Sequence, residues 1–192
     1  MSGLELIAAV LGVTAVWLTV KQNAWCWPIG LVMVLIYGWL FFEVKLYSGM
    51  LLQLAYAGLQ LYGWWQWKRP DRVEDARAVS RLPVKAVFTG LAAGLVLSVA
   101  LGAAMAHWTD AALPWLDATL TGLSLVAQLW MAQKRLQCWP LWLVVDLFYV
   151  GQYLHQQLYF TAGFFGVLTL IAVRGWLEWG RDPALQPSKV QP

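Results

Sequence analysis

The composition of this 192-residue chain excludes an ordinary soluble domain. Apolar residues make up 60% of the sequence, charged residues only 12%, and 14 residues are tryptophan. Soluble domains carry about 25% charged residues, so this chain has about half the charge that a water-facing surface needs. Seven membrane helices of about 20 residues each would leave only loops and tails. Most enzyme classes and ordinary nucleic-acid binders are therefore excluded. The basic pI of 9.0 does not indicate nucleic-acid binding here, because basic residues in a membrane protein usually set its orientation.

Apolar runs separated by charged or turn-rich stretches predict an all-α membrane protein with seven transmembrane helices. The first run has no basic flank and no cleavage pattern of small residues, so we interpret it as a permanent helix and not as a signal peptide. In chain order the predicted helices are Leu4–Val20, Ala24–Phe42, Leu46–Trp67, Val84–Ala106, Pro114–Ala132, Cys138–Leu154 and Phe160–Trp179.

The basic residues fall almost entirely on one side of this topology. Twelve of the thirteen lysines and arginines lie on the side of the odd-numbered loops, and only Lys45 lies opposite. Because cytoplasmic loops carry the excess of Lys and Arg, we expect the N-terminus outside and the C-terminus in the cytoplasm. The basic segment between the third and fourth helices is predicted to be a solvated connector, with binding of anionic membrane lipid as the alternative. Cys26 and Cys138, both at predicted cytoplasmic helix ends, are expected to stay reduced.

The chain contains an internal repeat with a constant offset of 112 residues. This shift superimposes Cys26-Trp27-Pro28 on Cys138-Trp139-Pro140, and Gly63-Trp64 on Gly175-Trp176. From position 26 to position 69, thirteen of forty-four residues are identical without a gap. Several matches are tryptophan, proline or glycine, which seldom coincide by chance, so the repeat predicts a duplicated structural unit.

Each repeat contains three predicted helices, and the helix Val84–Ala106 has no counterpart. Because each repeat has an odd number of helices, two repeats joined directly would have opposite orientations in the membrane. The extra linker helix between them gives both repeats the same orientation. We therefore expect two parallel three-helix repeats in a 3+1+3 arrangement, which in small transporters places the substrate near the midplane between the repeats. The predicted boundaries are 1–67 for the first repeat, 68–112 for the basic loop and linker helix, 113–180 for the second repeat and 181–192 for a cytoplasmic tail.

The repeats differ in two polar helix faces, which are the candidate binding site. Polar groups inside a bilayer usually face a bundle interior or a wet cavity, and amide, phenol and indole groups together suit a flat, hydroxylated small molecule, including a cationic one. The third helix contributes Gln53, Tyr56 and Gln60, whose partners at the shift are Phe165, Leu168 and Ala172. The sixth helix contributes Trp139, Trp142, Asp146, Tyr149 and Tyr153, whose partners are Trp27, Gly30, Val34, Tyr37 and Phe41.

Each of these features also has a structural interpretation. Glutamines can join membrane helices. Asp146 lies about 12 Å from the predicted cytoplasmic end of its helix, where it could either pair with Arg174 of the next helix or contact substrate. An interfacial belt is predicted for the tryptophans near the cytoplasmic boundary, which are Trp64, Trp65, Trp67, Trp176 and Trp179.

The sequence offers no motif for a cofactor, a metal or catalysis. His107 and His155 are each solitary, no glycine-rich phosphate loop is present, and Asp146 has no second intramembrane aspartate beside it. We therefore predict no cofactor, no metal and no enzymatic activity, with an intramembrane enzyme as the alternative from another functional class.

The repeated motifs resemble those of the PnuC family of vitamin transporters over nearly the whole chain. The resemblance rests on Cys26-Trp27-Pro28, on the run Tyr62–Trp67, and on Trp139-Pro140-Leu141-Trp142 followed by Asp146. It implies a 3+1+3 fold in the bacterial inner membrane, commonly as a homotrimer with one pathway in each protomer. It also implies uptake of nicotinamide riboside by facilitated diffusion without ion coupling, with trapping by phosphorylation in the cytoplasm.

The same resemblance identifies Trp139 and Trp142 as the family's WxxW motif, whose rings would shape the binding site and its gate. Cys138 departs from the pattern, because many members have asparagine directly before the first tryptophan. Since relatives in the family carry thiamine or riboflavin, these two vitamins are the alternative substrates.

Overall fold

The structure is a computed structural model that describes residues 3–43, 47–68, 78–108 and 113–185. Lys45, Asp110, Lys189 and residues 69–77 of the predicted basic connector lie outside these ranges. Within them the chain forms seven helices and no strand, so the predicted all-α fold of seven helices is confirmed. Every helix begins and ends within two residues of its predicted position. The helices are α1 (Gly3–Val20), α2 (Cys26–Glu43), α3 (Tyr47–Lys68), α4 (Val84–Trp108), α5 (Pro114–Ala132), α6 (Cys138–His155) and α7 (Tyr159–Gly180), followed by a 3₁₀ turn, Pro183–Leu185.

The helices of the described part differ in how apolar they are. Four of them, α1, α2, α4 and α7, are long and apolar enough to cross a membrane. Helices α3, α5 and α6 have 22, 19 and 18 residues, so length is not what sets them apart. Each of these three carries a buried amide or carboxyl side chain, namely Gln60, Gln128 and Asp146 respectively, whereas the buried polar residues of α1 and α4 are the hydroxyl side chains Thr19 and Ser98. Polar groups of this kind are tolerated at membrane depth where they face protein or a wet cavity.

The chain divides into two compact units, Met1–Ala78 and Val79–Pro192. In the first unit α1 packs on α2 and α2 on α3, and in the second α4 packs on α5, α5 on α6 and α6 on α7. Adding 112 to the bounds of α2 and α3 gives the bounds of α6 and α7. The duplication is therefore visible in the helix ends, while the 3+1+3 arrangement and the domain boundaries stay predictions.

Burial on the first helix of each repeat follows the same offset. The five buried residues of α1 all have buried counterparts in α5 at a shift of 112. Small side chains dominate in α1, where close approach of helix backbones in a membrane depends on them. The pairs are Ala8 and Leu120, Gly12 and Ser124, Ala15 and Ala127, Thr19 and Met131, and Val20 and Ala132.

Within the first unit, α2 and α3 are held together by a tryptophan that packs on a glycine. The six-membered ring of Trp27 lies directly against Gly63, where even a methyl group would collide with it. The same ring stands edge-on to Trp67, with ring centroids 5.3 Å apart and an interplanar angle of 82°. Edge-to-face aromatic pairs of this kind add stability beyond their buried area.

The second unit repeats this contact between α6 and α7. A Cβ on Gly175 would lie 2.6 Å from the Trp139 ring, and Trp139 meets Trp179 edge-on at 5.2 Å and 89°. Trp67 and Trp179 are 6% and 0% exposed. The predicted interfacial belt is therefore wrong for these two residues, which are buried in helix contacts, whereas Trp65 is half exposed.

The turns that lead into α2 and α6 also match. Gln22 and Lys134, which are 112 positions apart, both have a φ of 53°, in the left-handed region that reverses the chain in few residues. Pro28 and Pro140 occupy the first turn of α2 and α6, where a missing N–H breaks no helical hydrogen bond. The repeated Cys-Trp-Pro motif thus fixes where these helices begin.

The segment before α4 is attached to the turn between α5 and α6. The Ser80 N–H donates to the Lys134 carbonyl at 3.1 Å, and the Leu136 N–H donates to the Ser80 carbonyl at 2.9 Å. Gln137 Nε2 donates to the Leu82 carbonyl at 3.1 Å, while Gln137 Oε1 accepts from the Leu82 N–H at 3.0 Å. These bonds fix the entry to α4 next to the start of α6.

Candidate functional site

In the first unit, the predicted site residue Gln60 is held in place by Gly30. Gln60 lies on α3 and is only 8% exposed. Its carboxamide rests on α2, because a Cβ on Gly30 would lie 2.6 Å from Gln60 Nε2 and 2.8 Å from Cδ. Sequence analysis identified Gly30 only as the counterpart of Trp142, and it missed this contact. The absence of a side chain at position 30 makes room for the amide.

Gln53, also on α3, borders a cleft between α2 and α3 of about 350 Å³. This volume is at the lower end of the range for small-molecule sites. Trp39 and Leu54 on its wall are 57% and 55% exposed, so the cleft opens to the surface of the unit. An apolar wall with one amide suits an aromatic or aliphatic group. The lining residues are Val34, Leu35, Gly38, Trp39, Phe42, Met50, Gln53 and Leu54.

In the second unit, Tyr149 and Tyr153 of α6 form an aromatic stack with Phe165 of α7. Ring centroids are 4.6 Å apart for Tyr149 and Phe165, 5.4 Å for Tyr153 and Phe165, and 6.0 Å for the two tyrosines. Phe165 occupies the repeat position of Gln53. The second unit therefore has stacked rings at the position where the first has an amide beside a cleft.

Asp146 on α6 is buried, and no ion pair to it is found in the part of the chain that the structure describes. It is 3% exposed, and its Oδ1 has no hydrogen-bond partner within the described ranges. Arg174 instead forms an ion pair with Glu178 on its own helix, Nε to Oε1 at 3.0 Å, and the Arg174 side chain is 57% exposed. The Asp146–Arg174 ion pair, which the sequence left as an alternative, is therefore wrong.

Trp142 lies one turn before Asp146, and its indole Nε1 is buried without a hydrogen-bond partner in the described part of the chain. Trp139 Nε1 shares this property, but so does Trp27 Nε1 at the same repeat position. The unpartnered donor of Trp139 is thus common to both repeats, whereas Trp142 has Gly30 as its counterpart. Three site residues on α6, Trp142, Asp146 and Tyr153, have polar atoms with no equivalent in the first repeat. Of these three, Trp142 and Asp146 have a buried polar atom without a partner among the described residues.

At one pair of positions, the large and the small side chain lie on opposite helices in the two repeats. The first has Gly30 on α2 and Gln60 on α3, and the second has Trp142 on α6 and Ala172 on α7. The larger polar side chain lies on the second helix of the pair, α3, in the first repeat, and on the first helix of the pair, α6, in the second repeat. This exchange explains why Gln60 and Trp142 were identified as polar novelties of opposite repeats.

Gln152 is a half-buried polar residue that was not among the predicted site residues. Its Nε2 donates to Asp117 Oδ1 at 2.8 Å and so ties α6 to α5, while its Oε1 is buried with no partner among the described residues. The repeat counterpart is Leu40, so the same comparison that identified Asp146 would have found it.

The predicted site residues therefore fall into two groups. Gln53, Tyr56 and Gln60 belong to the first unit, and the five residues of α6 belong to the second. Among residues 3–43, 47–68, 78–108 and 113–185, no three His, Cys, Asp or Glu side chains are close enough to hold a metal ion. Both cysteines are buried, and no disulfide joins them.

Comparison with known proteins places the chain among transporters. Residues 2–181 match the model of the family described as nicotinamide mononucleotide transporter. A solved structure described as the vitamin B3 transporter PnuC has the same fold, with a TM-score of 0.74 and 25% identity. That match covers 93% of this chain and 80% of the solved chain.

Two similar sequences carry names with different substrates. The nicotinamide riboside transporter PnuC of Escherichia coli (strain K12) is 26% identical, over 93% of this chain and 85% of its own length. The riboflavin/roseoflavin transporter RibM of Streptomyces davaonensis is 28% identical, over 90% of this chain and 83% of its own length. The resemblance noted in the sequence is confirmed, and so is the prediction of a transporter and not an enzyme.

Proposed function

Since this chain belongs to the nicotinamide mononucleotide transporter family and is a multi-pass protein of the bacterial inner membrane, we propose that it takes up nicotinamide riboside. The observation that carries this proposal is the pair of buried, unpartnered polar groups on α6, Trp142 Nε1 and Asp146 Oδ1. Buried donors and acceptors are normally hydrogen-bonded, and a polar, aromatic ligand would supply partners for both atoms.

The substrate contacts that we propose are those of the two polar helix faces identified in the sequence. Gln53, Tyr56 and Gln60 offer amide and phenol groups for hydroxyls, and the rings of the second unit offer stacking surface. The second set consists of Trp139, Trp142, Asp146, Tyr149 and Tyr153. Because the polar side chains of the two helix faces differ between the repeats, they can recognise a molecule without two-fold symmetry.

Facilitated diffusion is the proposed transport mode, with phosphorylation in the cytoplasm trapping the product. Proteoliposomes that contain the purified protein should equilibrate labelled nicotinamide riboside across the membrane, and an ion gradient should not change the final level. Enclosing a nicotinamide riboside kinase and ATP should make the label accumulate. Accumulation driven by an ion gradient alone would contradict this mode of transport.

Thiamine and riboflavin are the alternative substrates, and the similarity to RibM is the observation that keeps riboflavin among them. Calorimetry that measures the binding of nicotinamide riboside, thiamine and riboflavin to the same preparation distinguishes these candidates. If none of the three binds to folded protein, the proposed function is wrong.

The placement of the site is tested by Gln60→Ala and Trp142→Ala. Loss of one hydrogen bond or one stacking contact should weaken binding about threefold to tenfold. Gln66→Ala on the same helix as Gln60, and the half-exposed Trp176→Ala, are matched controls that should leave affinity unchanged. Equal affinities in both site variants and the wild type would contradict the placement.

The assembly and orientation are proposals of the same kind. We propose a homotrimer, which native mass spectrometry should show as three times 21.6 kDa, with anionic lipid bound to the basic connector as retained adducts. A membrane-impermeant thiol reagent applied to intact cells should label Ser2→Cys and not Ser188→Cys, because the N-terminus is proposed to lie outside. The domain boundaries 1–67, 68–112, 113–180 and 181–192 remain proposed as well.

A further inference from the structure

We propose that Asp146 is the counter-ion for a permanently cationic ring of the transported molecule. The site would then select N-substituted, positively charged heteroaromatic rings over neutral rings of similar size. This inference rests on the proposed transport function and names the chemical class of its substrate.

The Asp146 carboxyl group lies in a buried environment. Its side chain is 3% exposed, and its Oδ1 makes no hydrogen bond within the described ranges. A buried charge without a partner is costly, and acidic residues within membrane helices usually pair with a cation or line a pathway. Arg174, the partner on the next helix that the sequence left as an alternative, is bound to Glu178 and largely exposed. A positively charged ligand would supply the partner that the charged carboxylate does not find among the described residues.

Trp142 lies one helical turn before Asp146. The two residues are four apart on α6, so their side chains lie on the same face of the helix. Trp142 combines an unpartnered indole N–H with a π face, and indole is the side chain that attracts cations most strongly. One ligand with a positive ring and a hydrogen-bond acceptor can satisfy both residues.

The two repeats differ at both of these positions. At the positions of Trp142 and Asp146 the first repeat has Gly30 and Val34. Val34 is as deeply buried as Asp146, at 2% exposed, so the fold accepts an apolar side chain at this place. The carboxylate is therefore not needed for packing in this type of unit, which favours a role toward the ligand.

The inference separates the candidate substrates by charge. The pyridinium ring of nicotinamide riboside and the thiazolium ring of thiamine carry a permanent positive charge, whereas the isoalloxazine ring of riboflavin is neutral. We therefore expect the protein to bind the first two and to discriminate against the third.

The test compares nicotinamide riboside with its 1,4-dihydro form, which keeps the ribose and the carboxamide but has an uncharged ring. Calorimetry on purified, folded protein should show that Asp146→Asn weakens binding of the cationic form at least tenfold, as expected for loss of a charge-assisted contact. Binding of the dihydro form should stay within twofold of the wild type. Asp117→Asn, which removes a charge from α5 but keeps an acceptor for Gln152, should change neither affinity.

The remaining outcomes overturn the inference in distinguishable ways. Unchanged affinity for the cationic form in Asp146→Asn would mean that the buried carboxyl is neutral or remote from the ligand. An equal loss for both ring forms would mean that Asp146 acts through the fold. Tight binding of riboflavin by the wild-type protein, without binding of either cation, would refute the inference and leave transport intact. A wild-type protein that binds none of the ligands would refute the proposed function itself.

Discussion

Trp139 stands edge-on to Trp179 with ring centroids 5.2 Å apart, and its ring covers Gly175. The contact anchors the start of α6 on the end of α7. Trp142 and Asp146 follow on the same helix, so the packing of Trp139 also sets the position of the polar face. In the first unit Trp27 makes the same contact with Gly63 and Trp67, although the residue at the position of Asp146 is Val34. The tryptophan contact therefore does not depend on the polar face.

Gly175→Ala should destabilise the protein through this contact. The added methyl group would lie 2.6 Å from the Trp139 ring, and overpacking of this kind costs about 1–3 kcal/mol. A fall in Tm in detergent is the expected measurement. Gly166→Ala on the same helix meets no atom within 4 Å and should leave Tm unchanged or slightly higher. Equal Tm values in the two variants would show that the α6–α7 contact is not close-packed.

Gly30→Ala should affect ligand binding more than stability. The methyl group collides with the flexible end of Gln60 and not with backbone, so the amide can move aside at little cost. If Gln60 contacts the substrate, affinity should fall about threefold to tenfold with a small change in Tm. Gly58→Ala, on α3 and with open space around it, is the control. A Gly30→Ala protein with wild-type affinity would separate Gln60 from the binding site.

Gln137→Ala should loosen the segment that leads into α4. This side chain makes two hydrogen bonds with the backbone of Leu82, and each contributes about 0.5–1.5 kcal/mol. Hydrogen–deuterium exchange should therefore speed up at the Leu82 amide. The Leu136 amide, which donates to Ser80, should be affected less. Unchanged exchange at Leu82 would mean that the bonds between Ser80 and the α5–α6 turn hold the segment alone.

Gln152→Leu restores the residue of the first repeat but removes the hydrogen bond to Asp117. The variant leaves that carboxylate without its donor, so we expect a loss of about 1–3 kcal/mol in the free energy of unfolding. The double variant with Asp117→Leu should recover part of the loss, because it removes the unpartnered group as well. A single variant as stable as the wild type would show that water replaces the amide.

The sequence identified helices more accurately than contacts. Apolar runs bounded by charged or turn-rich stretches place helix ends closely because charges and prolines are costly within a membrane span. The same pattern could not tell a tryptophan in an interfacial belt from one buried in a helix contact, since both lie near a helix end. Trp67 and Trp179 were misjudged for this reason. The role of Gln152 was missed because its hydrogen bond joins α6 to Asp117 of α5, and the spacing of residues along α6 does not show which side chain lies opposite.

By itself the sequence determined the number of helices, the offset of 112 residues and the positions at which the repeats differ. These are properties of local hydrophobicity and of residue identity, and they need no coordinates. Only the tertiary structure decided that Arg174 bonds to Glu178 and not to Asp146, and that Gly30 makes room for Gln60. Both results depend on which rotamer and which helix face lie within a few ångströms of each other. The spacing of residues along a helix shows which of them share a face. The packing of two helices decides which side chains on those faces are in contact.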